Sequence, residues 1–563
     1  MPTALINNTP LELNPAEQIN CIQAAKRIGF EIPHYCWHPA LSVVASCRMC
    51  LVEVGEKKPD GTIVMRPKLE PGCQTPVKDG MVIVADSPKV KAAQQATLEY
   101  LLLNHPLDCP TCDQAGECFL QDYSFKYGRG FSRLQEPKNL KPDKDHIGEQ
   151  ITLFTDRCIM CTRCVRFTRE VSGTGELMVT ARGTHEEIDV FPGQPCNNKL
   201  AGNVVDLCPV GALCSKDFLY KQRVWWLNTT KSVCPNCSTG CTVDVDQNED
   251  RVYRLTPHVN PLAQGHFMCD EGRFGWKYLL SDQRITFPEQ RDVAADGSGR
   301  VISRGWDDIL PAVTSALKKR AAQHPKKIGA VFSPWMTVEE AYLLATYVTR
   351  ISPMARLALG PVRVEGEDDK YPKDVRGNAA EPTKFTIRAE KAPNRRGVEL
   401  ILKHFADAPL SFGDALAAAG AGEFDALYLV GGDPAGWISA EQASALQRVP
   451  LVIVQDLLHS PASRMATFLL SGGSFAERDG TFVNHAGLAQ EIRRSVRGPD
   501  GSRPDNRILW DLNGRTGLYQ VAALRREIAQ KIPALAALSA GTLGETGVLL
   551  STNDKPIPVA PAG

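Results

Sequence analysis

No cysteine follows Cys269 in this 563-residue chain, although the chain has 18 of them. The C-terminal half therefore offers no thiolate to a metal or a reaction. Net charge is missing too: 64 Lys+Arg against 64 Asp+Glu give a formal +0. That balance leaves no electrostatic footprint for nucleic acid or an acidic membrane surface. No apolar run reaches the length of a membrane span. The start, Met1-Pro2-Thr3-Ala4-Leu5-Ile6, lacks a basic region followed by an apolar one. No secretory signal is expected, and a cytosolic setting disfavours structural disulfides. There is no Walker A loop. Gly431-Gly432-Asp433-Pro434-Ala435-Gly436 is Gly-rich but lacks G-x-G-x-x-G spacing, so it points only weakly to a nucleotide. No residues form a nucleophile–base constellation, and no catalytic residue is expected. The length exceeds one core, so three or more domains are expected.

Every cysteine lies between Cys21 and Cys269, and most fall into four sets. Cys36, Cys47, Cys50 and Cys73 read C-x10-C-x2-C-x22-C, near the plant-type ferredoxin pattern but with a longer first gap. His105, Cys109, Cys112 and Cys118 read H-x3-C-x2-C-x5-C, one imidazole and three thiolates able to close around one centre. Cys158, Cys161 and Cys164, with the remote Cys208-Pro209, follow the bacterial ferredoxin grammar, and C-x2-C-x2-C suits three corners of a cubane. Cys234, Cys237, Cys241 and Cys269 read C-x2-C-x3-C-x27-C. Cys21, Cys196 and Cys214 are left over; Cys21 is expected to pack in a helix, and the other two receive no ligand role. Structural zinc is the bland reading of any single C-x2-C pair. The compact triplet and the Cys-Pro weigh against it. A string of one-electron centres without bond chemistry reads as a conductor between a donor and an acceptor elsewhere.

The elements around the sets are short. Ala4–Ile6 and Leu11–Leu13 read as strands around Asn7-Asn8, followed by a helix near Gln18–Arg27 and a closing strand at Met81–Ala85. Residues 88–104 read helical, with Val90, Ala93, Ala96, Thr97, Tyr100 and Leu101 near one face. Val243–Val245 and Val252–Leu255 read as strands around the turn Gln247–Asp250. After about residue 283 the texture becomes α/β. Ile328–Phe332, Ala426–Val430, Leu451–Val454 and Thr467–Leu470 suit buried parallel strands, with helices at Val338–Ile351 and Ala440–Leu446. The Pro/Ala-rich end, Lys555–Gly563, is expected to be extended or disordered.

The order of these four sets resembles the large iron–sulfur subunit of bacterial respiratory complex I, the NADH:quinone oxidoreductase. The resemblance runs over about residues 1–280. It implies a [2Fe–2S] cluster on the Cys36 set and [4Fe–4S] clusters on the His105, Cys158 and Cys234 sets, the last off the main electron path. It also implies a place in the peripheral arm on the cytoplasmic side of the bacterial inner membrane. The partners would be a flavin subunit that binds NADH and quinone-proximal iron–sulfur subunits; this chain would carry neither the NADH site nor the quinone site.

The C-terminal half resembles a reduced molybdopterin-oxidoreductase domain. Ser303-Arg304-Gly305-Trp306-Asp307-Asp308-Ile309 is similar to that superfamily's helix start, and Glu477–Gln490 to its E-x-x-G-T-x-x-N-x-x-G-R-x-Q segment, with Leu488 in place of Arg. No molybdopterin is expected. Cys269-Asp270-Glu271-Gly272-Arg273 puts Glu where catalytic members carry Lys, a negative charge that would oppose electron flow to a pterin.

The expected fold class is multidomain α+β and α/β. Residues 1–87 form a ferredoxin-like β-grasp domain, 88–130 the His/Cys segment, 131–224 a ferredoxin-like domain, 225–282 a small cluster domain, 283–553 an α/β scaffold and 554–563 a tail. The competing readings are a subunit of an NAD-linked formate dehydrogenase, a subunit of a soluble NAD-reducing hydrogenase, and a zinc-stabilised scaffold.

Overall fold

A computed structural model describes residues 2–293 and 299–551, so the expected Pro/Ala-rich tail lies outside the described residues. The chain forms two compact units. One runs to Leu227 and takes in Tyr371–Thr383; the other comprises Asn228–Lys370 and the chain from Lys384 on. The multidomain mixture of α+β and α/β structure is present.

The first unit opens with a hairpin, Thr3–Ile6 paired with Thr9–Glu12. Asn7 and Asn8 sit at φ 46° and 66°, the left-handed turn geometry that asparagine tolerates. The strand Met81–Val84 runs parallel to Thr3–Ile6 and antiparallel to Leu51–Lys57. The helix Cys21–Arg27 starts at a capping box made by Asn20 and Gln23. Ile6, Ile22, Val52, Val54 and Ile83 close the core beneath it.

Residues 88–104 do contain a helix, Pro88–Leu102, but the predicted face is wrong. The buried line is Val90, Gln94 and Leu98, while Tyr100 is 77% exposed. In an alanine-rich stretch the apolar pattern is nearly flat, so a strict i, i+4 line through a glutamine decides the contact. Further on, the helices Arg163–Glu170 and Asn203–Leu207 flank the ribbon that joins Ile151–Leu153 to Leu213–Ser215.

The second unit begins with three antiparallel strands, Asn228–Val233, Thr242–Asn248 and Arg251–Pro257. These strands run longer than expected. Gln247 and Asn248 are strand, and Glu249-Asp250 alone make the turn, both at positive φ. Next comes a seven-stranded sheet. Its parallel part has the spatial order Phe468–Ser471, Leu451–Asp456, Ala426–Val430, Ile328–Phe332, Arg356–Leu359. All four expected strands are present, and Arg356–Leu359 is an addition. The helix Val338–Ile351 falls where expected; the one near Ala440 is shorter, Ala440–Ser444, and tightens into a 3-10 turn. Helices at Arg395–Phe405, Phe412–Gly420, Asp505–Leu512 and Val521–Lys531 were not anticipated. Apolar clusters cover both faces of the sheet, as parallel strands require.

Candidate iron–sulfur sites

The Cys36 set is gathered by loops around the strand Leu51–Lys57. Its thiols share hydrogen bonds: Cys36 with Cys47 and Cys73, and Cys50 with Cys73. Cys36 and Cys50 accept and are pushed down; Cys47 and Cys73 donate and are pushed up. Cys21 is buried in the adjoining core, where its thiol reaches the Thr75 carbonyl at 3.4 Å.

Cys109, Cys112 and Cys118 are electrostatic neighbours of one another. Burial pushes Cys118 up to about 11. Burial, reinforced by the nearby Lys138 and Arg157 cations, pushes His105 down to about 4, which leaves the neutral imidazole a ligand needs. Arg157 also neighbours Cys112 and is held by Asp108 at 2.9 Å. Arg223 donates to the carbonyls of Pro110 and Cys112, tying down the loop between the ligands. A Cβ on Gly211 would stand 2.1 Å from the Cys112 sulfur, so that close approach requires glycine. Cys109 is exposed, unlike Cys112 and Cys118.

Cys158, Cys161, Cys164 and Cys208 line one enclosed cavity with Leu153, Ile188 and Val210. Burial pushes Cys158 up to about 12 and Cys161 up to about 11. Val210, Ala212 and Leu213 aim backbone N–H groups at the Cys208 sulfur, which favours its thiolate. Cys214, left without a role from sequence, is buried with Cys112 and Cys208 as electrostatic neighbours. A direct link joins the His105 and Cys158 sets: Phe119 N–H donates to Pro209 C=O at 3.1 Å, each one residue beyond a cysteine of its set.

In the second unit Cys234, Cys237, Cys241 and Cys269 are brought together. Cys234 N–H closes the loop on Cys241 C=O at 2.8 Å. The segment Glu477–Gln490 explains itself here. Asn484 Nδ2 donates to Thr239 C=O at 2.9 Å, Gln490 Nε2 to Gly240 C=O at 2.7 Å, and Gln490 Oε1 accepts from Thr242 Oγ1 at 2.7 Å. These side chains clamp the loop that carries Cys237 and Cys241.

One charge expectation is overturned. Lys391 Nζ lies 2.5 Å from the Glu271 carboxylate, is buried, and neighbours Cys237 and Cys269. The cation missing from the Cys269–Arg273 segment is supplied through space, so Glu271 is not an uncompensated negative charge.

The parallel sheet changes winding direction between Ile328–Phe332 and Ala426–Val430, where α/β folds place ligands. This crevice is filled by the chain itself. Arg478 spans it, donating to Asp505 at 2.6 Å and to Trp335 C=O at 2.8 Å. Tyr278, Trp335 and Asp456 take most of what is left, a cavity of about 20 Å³. That is room for water, not for a pterin. A Cβ on Gly431 would meet Trp437 at 2.4 Å, so the Gly-rich turn serves packing.

Among the described residues no group of three or more His, Cys, Asp or Glu side chains converges tightly enough for a single metal ion. Tetrahedral zinc requires its donors within about 2.3 Å of one point. An iron–sulfur cluster is larger than an ion and takes ligands at wider spacing. Buried thiols around an apolar cavity, with amide donors aimed at sulfur, suit such a cluster. Loading it displaces the thiol protons.

Family models agree with this division. A 2Fe-2S iron-sulfur cluster binding domain matches residues 3–88, and the NADH-ubiquinone oxidoreductase-G iron-sulfur binding region matches 94–133. The NADH-quinone oxidoreductase subunit 3 ferredoxin-like domain matches 148–214. The molybdopterin oxidoreductase Fe4S4 domain and the molybdopterin oxidoreductase family match 227–281 and 378–515. The NADH-quinone oxidoreductase-G protein of Rickettsia bellii is 38% identical over 340 residues, 60% of this chain and 47% of that protein. The NADH-ubiquinone oxidoreductase 75 kDa subunit of Reclinomonas americana is 35% identical over 359 residues, 64% of this chain and 49% of that protein. A chain of an NAD+-reducing [NiFe]-hydrogenase, 24% identical, covers 40% of this chain and 91% of its own at a TM-score of 0.33, too low to carry an argument. This chain spans about half the length of the curated relatives it matches. Through this series of iron–sulfur domains and the aligned sequence, the chain belongs to the NADH-quinone oxidoreductase-G family, the large iron–sulfur subunits of complex I.

Proposed function

We propose that the chain is an electron-relay subunit of a proton-translocating NADH:quinone oxidoreductase. Cys36, Cys47, Cys50 and Cys73 would hold a [2Fe–2S] cluster. His105 with Cys109, Cys112 and Cys118, Cys158 with Cys161, Cys164 and Cys208, and Cys234 with Cys237, Cys241 and Cys269 would each hold a [4Fe–4S] cluster. Bound there, the clusters supply one-electron chemistry. The protein's own part is to fix their spacing, exclude water and set their potentials. Electrons from a flavin-bearing partner would pass through the His105 and Cys158 sets toward a quinone-proximal partner. The Cys234 set is read as a side site, and the α/β domain as a scaffold that docks neighbouring subunits. No helix among the described residues is long and apolar enough to cross a membrane, so attachment through partners on the cytoplasmic side fits this reading.

One observation carries the proposal: a single hydrogen bond, Phe119 N–H to Pro209 C=O, separates the ligand shells of two sets. Metal sites that only brace a fold have no need to adjoin; relay centres do. The formate dehydrogenase reading needs space for a pterin, and the filled crevice around Arg478 speaks against it.

The test is metal and acid-labile sulfide content of the anaerobically purified chain, with low-temperature EPR after dithionite. The expected result is about 14 iron per chain with matching sulfide and no molybdenum or tungsten. About four zinc without sulfide would replace the relay by a scaffold, and stoichiometric molybdenum would call for an assay with formate.

A further inference from the structure

The helix Arg163–Glu170 begins two residues after Cys161 and contains Cys164. Arg163, Arg166 and Glu170 lie at i, i+3 and i+7 along it, and all three reach the loop that carries Cys36. Arg163 donates to Trp37 C=O at 2.5 Å and to Leu207 C=O at 3.2 Å. Trp37 follows Cys36, and Leu207 precedes Cys208. Arg166 donates to Cys36 C=O and Ser42 C=O, both at 2.5 Å, and to Cys161 C=O at 3.3 Å. Glu170 accepts from Ser42 N at 2.8 Å. Each guanidinium therefore joins a carbonyl at or beside a cysteine of the Cys36 set to one at or beside a cysteine of the Cys158 set.

Arg163 is 4% exposed and Arg166 is 6% exposed. Among the described residues no carboxylate forms an ion pair with either, and every partner is a carbonyl or, for Arg166, the Thr162 hydroxyl. Arg163 Nε has no partner at all. Two adjacent buried cations without a carboxylate are strongly unfavourable by themselves. Something anionic must stand beside them. The Cys161, Cys208 and Cys36 sulfurs are the electrostatic neighbours of Arg163, and thiolate-ligated clusters there would be anions.

We infer that Arg163 and Arg166 form a cationic clamp shared by the two centres, positioning residues that fix their spacing and hold both reduction potentials up. This inference rests on the iron–sulfur reading of the Cys36 and Cys158 sets. An electron arriving on either centre adds one negative charge and neither makes nor breaks a ligand bond. The shared cations stabilise that charge at close range, and the hydrogen bonds give a bonded route between the two shells.

The experiment is EPR-monitored redox titration of the full chain and of Arg166→Gln, Arg166→Lys and Arg163→Gln, with dithionite as reductant and iron and sulfide measured on the same samples. Arg166→Gln should make reduction of both centres at least tenfold less favourable, 59 mV for one electron. The other two centres should not move, and Arg166→Lys should restore most of the loss. Arg163→Gln should act the same way and serves if Arg166→Gln fails to load iron. Full iron content with both midpoints unchanged in a loaded glutamine variant would overturn the clamp and leave the relay standing. Wild-type chain without iron or sulfide would overturn the relay, and the clamp with it.

Discussion

Lys391 Nζ sits 2.5 Å from the Glu271 carboxylate although 120 residues separate them. The pair stands beside Cys237 and Cys269, with the lysine buried and the glutamate half-exposed. Lys391→Met leaves Glu271 uncompensated next to the fourth set, and Glu271→Gln leaves the lysine cation. Redox titration of the fourth centre should show its midpoint falling in the first variant and rising in the second. Because Glu271 meets solvent, the stability cost of either change should be about 1 kcal/mol or less. Two unchanged midpoints would reduce the pair to a structural contact.

His105→Cys replaces a neutral ligand by a thiolate and adds one negative charge to its cluster. The midpoint of that centre should fall, since histidine ligation raises potentials relative to all-cysteine sites. EPR-monitored titration of the iron-replete variant decides it, and an unmoved midpoint would remove His105 from the ligand set.

Gln490→Ala should detach the loop that carries Cys237 and Cys241. The change strands Gly240 C=O and Thr242 Oγ1, both partners of the buried amide. A loss of roughly 2–3 kcal/mol is expected. Thermal unfolding should occur at lower temperature, and iron should fall by up to one cluster while the first unit's EPR signals persist. A variant with wild-type stability and full iron would show that the clamp is dispensable.

Glu340 is fully buried, accepts from Thr337 N at 2.8 Å, and leaves its second oxygen without a partner. Burial pushes its carboxyl from 4.5 up to about 7, even with Arg478 nearby. The folded pKa is raised, so as pH rises from 4.5 the unfolded chain gives up this proton before the folded chain does. Stability therefore falls between about pH 4.5 and 7 and is constant above that, a loss of roughly 3 kcal/mol at most. Glu340→Gln keeps an acceptor for Thr337 and should flatten this slope, with a gain in stability above pH 7. Denaturant unfolding at pH 5 and pH 8 measures it. An equal pH dependence in both proteins would place the charge elsewhere.

Much of the fold was legible because its signals are local. Val338–Ile351 carries a capping box at Thr337 and Glu340 and an apolar body, and it falls where expected. The Pro88–Leu102 helix was legible, but its buried face was not, since small alanines on all sides left Gln94 to be chosen by its neighbours. Glu477–Gln490 was recognisable as a segment, yet its work on the Ser238–Thr242 loop appears only in space.

What the sequence determined by itself is the inventory of donors and their spacing. Cysteines two or three residues apart are held near one another by the reach of the chain, so Cys158-x2-Cys161-x2-Cys164 and Cys234-x2-Cys237-x3-Cys241 declare their chemistry before folding. Tertiary structure alone decided the charges around those donors. Arg166 meets the Cys36 carbonyl across 130 residues, and Lys391 answers Glu271 across 120. It also decided that Arg478 fills the crevice at the sheet's turning point. Coulomb energy depends on distance in space and on burial, and neither is written in the spacing of residues along the chain.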